Sequence, residues 1–271
     1  MPKKKYVDDE SDHEASDDGD TSVESTGNLA PLLKMDIKKQ LIMCSKTMSG
    51  KSHLFCSLLY HLAKKGAFNQ CPTQIVVFCG SSETCDDYNS ILPKHCVRRG
   101  FDEQTCLKII KLHKQQILLK RKQSIRSGTP VKMKHLIMIL EDCIGCSCSL
   151  TTSPALRYLA TSGRHIYCSL WISSQSSVDA LSPTLRLNAS TILWSNLSQD
   201  HLKYIWSCTQ GMTWKEFLAF SKMKRFEFGM YDNSLEQTGF HKVSALPFPK
   251  GKFHIKSKDP PKKKTKDKDK R

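Results

Sequence analysis

Leu41-Ile42-Met43-Cys44-Ser45-Lys46-Thr47-Met48-Ser49-Gly50-Lys51-Ser52-His53, running on into the apolar stretch that starts at Leu54-Phe55-Cys56, decides the fold. Four apolar residues in a row read as a buried strand, and the pattern from Lys51 to Lys65 reads as a helix. Between them, Ser45 to Ser52 has the spacing of a phosphate-binding loop, with Gly-Lys-Ser at its end. Backbone N–H groups of Ser49 to Ser52 at the helix N-terminus would cradle a β-phosphate, because the donors there are unpaired and the helix end carries partial positive charge. Lys51 would reach the β- and γ-phosphates, and the Ser52 hydroxyl would bind Mg²⁺. The expected nucleotide-binding residues are therefore Ser45, Lys46, Thr47, Met48, Ser49, Gly50, Lys51, Ser52 and His53, with ATP and Mg²⁺ as cofactors. Ser45 stands where such loops carry their first glycine, and a tight or left-handed backbone there would cost serine more than glycine.

Outward from the loop, apolar strands alternate with helical patterns. Strands are expected at Gln40 to Cys44, Gln74 to Gly80, His135 to Leu140, His165 to Ser173 and Ser190 to Ser195. Helices are expected at Asp102 to Ser127, Ser153 to Thr161, Pro183 to Leu187 and from Gln199 to Ser207. A hairpin-like pair, Arg225 to Tyr231 and Phe240 to Val243, follows. This order predicts an α/β fold, a P-loop NTPase with a mainly parallel sheet flanked by helices. The strand His135 to Leu140 ends in Glu141-Asp142, and carboxylates at the tip of a buried strand are costly unless paired with a metal or another charge. Glu141 is expected in the Mg²⁺ shell, and Asp142 is expected to orient or deprotonate the attacking water. The bland alternative is a strand that ends in two surface acids. The next strand ends in Ser173-Ser174-Gln175; Gln175 is a candidate for contact with the γ-phosphate, or else a surface glutamine.

The chain carries 42 Lys and Arg against 26 Asp and Glu over 271 residues, a net charge of +16, which points to a polyanionic partner. The charge is uneven. Residues 1–30 hold three lysines and nine acids and read as a disordered acidic leader; residues 250–271 hold eleven Lys and Arg against three Asp and read as a disordered basic tail. The domain between them, residues 31–249, keeps a net +14. Nine of its cations lie between Gln104 and Leu140 without one acid. Leu107, Ile110, Ile117 and Leu118 would form the inward side of this basic helix, and Lys114, Lys120, Arg121, Lys122 and Arg126 are its candidate DNA contacts. Twelve cysteines scattered through apolar runs, with no signal-peptide core ahead of them, read as reduced thiols in an intracellular protein. Cys143, Cys146 and Cys148, with a fourth ligand such as His165, form a weak zinc candidate. No apolar window approaches the length of a membrane span.

Ser162-Gly163-Arg164-His165, the strand ending in Gln175, and the segment Leu181-Ser182-Pro183-Thr184-Leu185-Arg186-Leu187-Asn188 together resemble the genome-packaging ATPases of large DNA viruses and virophages. These include the poxvirus-type enzymes and lie within the FtsK/HerA superfamily. The resemblance covers residues 38 to 200. It implies a ring-forming homo-oligomer that drives double-stranded DNA into a capsid, with capsid protein as a partner. The setting it implies is an infected host cell, in the nucleus or at a cytoplasmic assembly site, or the virion. It also implies that Gln175 senses the γ-phosphate and that Arg186, with Arg164 as rival, reaches a neighbouring subunit's nucleotide. Two other readings stay open at this point: a P-loop nucleotide kinase, and a non-catalytic basic DNA-condensing protein with a vestigial nucleotide fold.

Overall fold

His135 to Glu141 is buried along its whole length, as a strand covered by helices on both faces must be. The computed structural model describes residues 27–143, 153–233 and 239–249. In chain order the elements are α1 (Ala30–Lys34), β1 (Leu41–Ser45), α2 (Lys51–Lys64), α3 (Ala67–Gln70), β2 (Thr73–Cys79), α4 (Ser82–Asn89), β3 (Val97–Arg99), α5 (Glu103–Ser127) and β4 (His135–Glu141). There follow α6 (Pro154–Ser162), β5 (Cys168–Ser174), α7 (Ser177–Ala180), α8 (Pro183–Asn188), β6 (Thr191–Ser195), α9 (Gln199–Trp206), α10 (Trp214–Phe220), β7 (Glu227–Asp232) and β8 (Gly239–Ser244). Among the described residues the strands form one sheet in the order β3-β2-β4-β5-β1-β6-β7-β8. The first six in that order are parallel, and β7 and β8 close the edge as an antiparallel pair.

The two-residue period of each strand divides its apolar side chains between two cores. Leu136, Met138 and Leu140 of β4, with Ile42 and Cys44 of β1, face α5, α6, α8 and α9. Ile137 and Ile139, with Leu41 and Met43, face α1, α2 and α4. Burial pushes the thiols of Cys44, Cys79 and Cys168 up, so they behave as small apolar groups. The fold starts ahead of residue 31. Leu29 is buried, and the Asn28 side chain donates to the Lys242 carbonyl of β8. At the other end, Leu246 exchanges hydrogen bonds with Ser57 of α2, and the Phe248 ring lies 4.9 Å from that of His53.

The basic helix α5 is capped as its sequence predicts. Asp102 accepts from the Thr105 N–H, and Gly128 leaves the helix at φ 65°. Its inward stripe differs from expectation. Cys106, Ile110, His113 and Ile117 are buried, whereas Leu107 and Leu118 are exposed. The buried set repeats at four, three and four residues, and Leu107 and Leu118 each lie one position off it, about 100° round the helix. His113 fits the core because its Nε2 hydrogen-bonds with the Ile166 carbonyl at 2.8 Å. No helix among the described residues is long and apolar enough to cross a membrane.

Candidate functional site

The loop that joins β1 to α2 is built from two left-handed residues. Met48 has φ 60° and Gly50 has φ 90°. The cost expected at Ser45 does not arise, since Ser45 is the last residue of β1 and its Oγ donates to the Ser195 carbonyl at 2.8 Å. Gly50 is the N-cap of α2 and provides no side-chain cap, while α4, α5, α6 and α10 are each capped by a side chain. The first N–H groups of α2 therefore stay open to an anion.

Lys51 is 5 % exposed. Its Nζ donates to the Ser45 and Lys46 carbonyls, each at 3.1 Å, and lies 3.4 Å from Asp142 Oδ2. Beside it, Ser52 Oγ donates to Glu141 Oε1 at 3.0 Å. Glu141 is fully buried and also accepts from Tyr88 at 2.8 Å and from Ser173 at 3.1 Å. Burial pushes the Glu141 carboxyl up to about 7; the Tyr88 hydrogen bond opposes this, the Asp142 charge adds to it, and Ser52 and Lys51 favour the ionised form. At this site two of the polar atoms buried without a hydrogen-bond partner among the described residues are Ser49 Oγ and Asp142 Oδ1. A carboxylate near neutrality bonded to a serine hydroxyl, next to orphaned oxygens, is a hard-oxygen donor set that fits Mg²⁺.

Asp142 is held in place by the backbone. It sits at φ 49° and donates its N–H to the Ser173 carbonyl at 3.0 Å. Gly80, at the tip of β2, donates to the Glu141 carbonyl at 2.8 Å, and a Cβ there would lie 2.4 Å from the Asp142 carbonyl oxygen. Gly80→Ala is therefore expected to displace Asp142. ATP hydrolysis should fall about tenfold or more while nucleotide binding survives, since a shift of about 1 Å at a reacting group costs that much or more. A wild-type kcat in the variant would refute the role given to this contact.

Gln175 follows β5 and is exposed. Since β5 lies between β1 and β4, the loop, Gln175 and the two carboxylates share one end of the sheet. Gln175 lines a cavity of about 460 Å³ together with Lys51, Ser52 and Asp142, and a second of about 490 Å³ with Lys46 and His201. Neither arginine lines these cavities. Arg186 lies near Tyr204 of α9 and Cys208 just after that helix, where its charge opposes the rise of both their pKa values. Arg164 is exposed in the turn Gly163–Ile166, ahead of β5 and thus a strand's length, roughly 20 Å, from Gln175. Three of the candidate DNA contacts are partly engaged. Lys114 lies over the Tyr158 ring, Lys120 donates to the Lys132 carbonyl, and Arg121 donates to the His165 carbonyl. Lys122 and Arg126 are exposed. Cys143 is buried and donates to the Phe78 carbonyl; Cys146 and Cys148 lie outside the described residues, among which no metal-binding cluster occurs. The sequence reading missed Tyr88, Ser173 and Gly80. Tyr88 is the single buried residue of a polar helix, so no apolar period announced it.

No family model matches the chain. An uncharacterised protein of Acanthamoeba polyphaga mimivirus is 26% identical over 193 residues, 71% of this chain and 64% of that protein, so the chain spans just under two thirds of that relative. Among solved structures, the genome packaging NTPase B204 of Sulfolobus turreted icosahedral virus 2, in complex with ATP-gammaS, superposes with a TM-score of 0.52 at 15% identity, covering 79% of this chain and 100% of that one. EssC (ATPases 2 and 3) from Geobacillus thermodenitrificans gives 0.54 at 14% identity over 78% of this chain and 40% of its own. The pCW3 conjugation coupling protein TcpA with ATPgS gives 0.51 at 14% identity over 78% and 62%. At such identities the likeness is one of fold, and the chain has the P-loop ATPase fold shared by B204, TcpA and EssC, as its resemblance to FtsK/HerA-type packaging ATPases implied.

Proposed function

We propose that the chain is an Mg²⁺-dependent ATP hydrolase that moves double-stranded DNA, and that its task is to package a viral genome into a capsid in an infected cell. The observation that carries this reading is the pairing of Lys51 with Asp142 beside the Ser52–Glu141 hydrogen bond, at the tips of β1 and β4 on either side of β5. Ser52 and Glu141 would hold the metal, which when bound supplies positive charge against the phosphate oxygens. Lys51 leaves its two carbonyls to take the β- and γ-phosphates. Asp142 orients the attacking water and accepts its proton, and Gln175 contacts the terminal phosphate from β5. Arg186 and Arg164 lie outside their own subunit's cavity, so either acts on nucleotide only across a ring of identical subunits, with Arg186 the first choice. The fold of B204, a genome packaging NTPase, supports the packaging role.

DNA binding rests on the exposed Lys122 and Arg126 of α5 and on the basic tail 250–271. Duplex DNA is expected to stimulate ATP hydrolysis by the full chain, and its affinity should fall steeply with salt as counterions are released from DNA. The double substitution Lys122→Glu and Arg126→Glu should weaken binding and reduce the salt slope by about two. Hydrolysis indifferent to DNA, with a flat salt response, would sink the translocase reading and leave a nucleotide hydrolase with another partner.

A further inference from the structure

We infer that Phe226, with Arg225 beside it, stacks on the base of the bound nucleotide. This rests on the nucleotide reading of the loop. The two carboxylates are on β4 and Gln175 follows β5, and both strands lie on one side of β1. A nucleotide seated on the loop with its terminal phosphate towards them directs its nucleoside to the other side, towards β6 and β7. On the phosphate side the cavity beyond the loop is lined by Gly80, Ser81, Thr84 and Asp87, which present no aromatic surface. On the other side Phe226 precedes β7 and is 46% exposed, an aromatic ring left open to solvent beside the loop. Its ring lies against the phosphate loop, since a Cβ on Gly50 would come within 2.9 Å of Phe226 Cδ1. The Arg225 guanidinium stands 4.8 Å from the ring centroid.

Phe226 is held at φ 63°, a conformation that bulky residues rarely adopt. Ser195 Oγ fixes the next residue by donating to the Glu227 carbonyl at 2.6 Å. The ring is thus aimed at the loop by the β6–β7 pair and is not packed into either core. A purine offers a π face to Phe226, and the Arg225 cation, 4.8 Å from the ring centroid, steadies that ring by a cation–π contact. Such a platform reads the face of a base and not its edge, so it accepts adenine and guanine alike.

Binding of Mg²⁺ with ATP, with GTP and with inorganic triphosphate to the full chain tests this by calorimetry. Phe226→Ala is expected to weaken ATP and GTP about tenfold and leave triphosphate unchanged, and Phe226→Trp to restore the loss. Fluorescence of the tryptophan variant should be quenched by ATP and not by triphosphate. Unchanged ATP affinity in Phe226→Ala overturns the base contact alone. Equal loss of ATP and triphosphate overturns it too, by making Phe226 a support for Gly50. Wild-type protein that binds neither ligand overturns the phosphate-loop reading and this inference with it.

Discussion

Lys51→Met is expected to lower ATP hydrolysis by a factor of about 10² to 10³, the usual loss when one electrostatic partner of a developing phosphoryl charge is removed. Methionine keeps the apolar stem of the lysine and removes only the charged head. In the absence of nucleotide that head joins the Ser45 and Lys46 carbonyls to Asp142. Its loss leaves two carbonyls and a partly buried carboxylate short of a partner, each worth about 1–3 kcal/mol, so the variant should also melt at a lower temperature. The decisive measurement is the rise in Tm on adding Mg²⁺ with ATP-gammaS. Wild type gains stability in proportion to ligand affinity, and Lys51→Met should show almost none of that gain. A variant that keeps the full nucleotide-dependent rise would show that Lys51 holds the loop shut and does not contact phosphate.

The same geometry implies a closed resting loop. Lys51 satisfies carbonyls that a nucleotide would release, and the open donors are those of the α2 N-terminus, with Ser49 Oγ and Asp142 Oδ1 buried and unpartnered. On the proposed reading, binding would exchange internal hydrogen bonds for phosphate contacts, and the loop would respond to nucleotide by moving the Lys51 side chain. Glycine at 50 lets the helix start at φ 90° without a capping side chain, and Met48 takes the second left-handed position at the exposed tip.

What the sequence made legible was whatever is written locally. β1, β4 and β5 are buried on both faces, so β1 and β4 appear as unbroken apolar runs and β5 as one interrupted by Ser169, and the polar residues at their ends mark one edge of the sheet. Lys51, Ser52, Glu141, Asp142 and Gln175 all follow from those strand ends in the sequence. The elements not foreseen carry weak local signals. β3 has three residues, two of them exposed arginines, and α4 buries only Tyr88. Partnerships across many residues were equally hidden. The Tyr88–Glu141 bond spans 53 positions and Ser173–Glu141 spans 32, and neither residue type at either position announces it. The inward stripe of α5 was misassigned because Leu107 and Leu118 are as apolar as their neighbours; only the buried His113 and Cys106 show which way the helix faces. Ser45 was expected to be a strained departure and proves to be a strand residue, because the loop makes its tight turn at Met48.

Glu141→Gln separates the metal-binding role of this residue from its place in the fold. Its carboxyl titrates near 7 when folded and near 4.5 when exposed, so the folded chain binds the proton more tightly. The stability this provides is complete below about pH 4.5 and is lost as pH rises through about 7. That difference amounts to at most about 3 kcal/mol in metal-free protein. Glutamine is neutral at every pH and keeps a hydrogen-bonding group for Ser52, Tyr88 and Ser173. The variant should therefore lose the fall in Tm between pH 5 and 8 and, without metal, melt above wild type at pH 8. Hydrolysis should behave in the opposite way. Removing the carboxylate is expected to lower kcat by about 10² to 10³, and in wild type the rate should decline as pH drops through the range where Glu141 is protonated. Glu141 must give up its proton when Mg²⁺ and nucleotide are taken up, so binding near pH 6.5 should release protons in wild type and not in Glu141→Gln. Calorimetry in buffers of different ionisation enthalpy measures that release. A wild-type binding heat independent of buffer, together with a variant that still hydrolyses ATP, would move the metal away from Glu141 and leave the carboxyl as a buried structural acid.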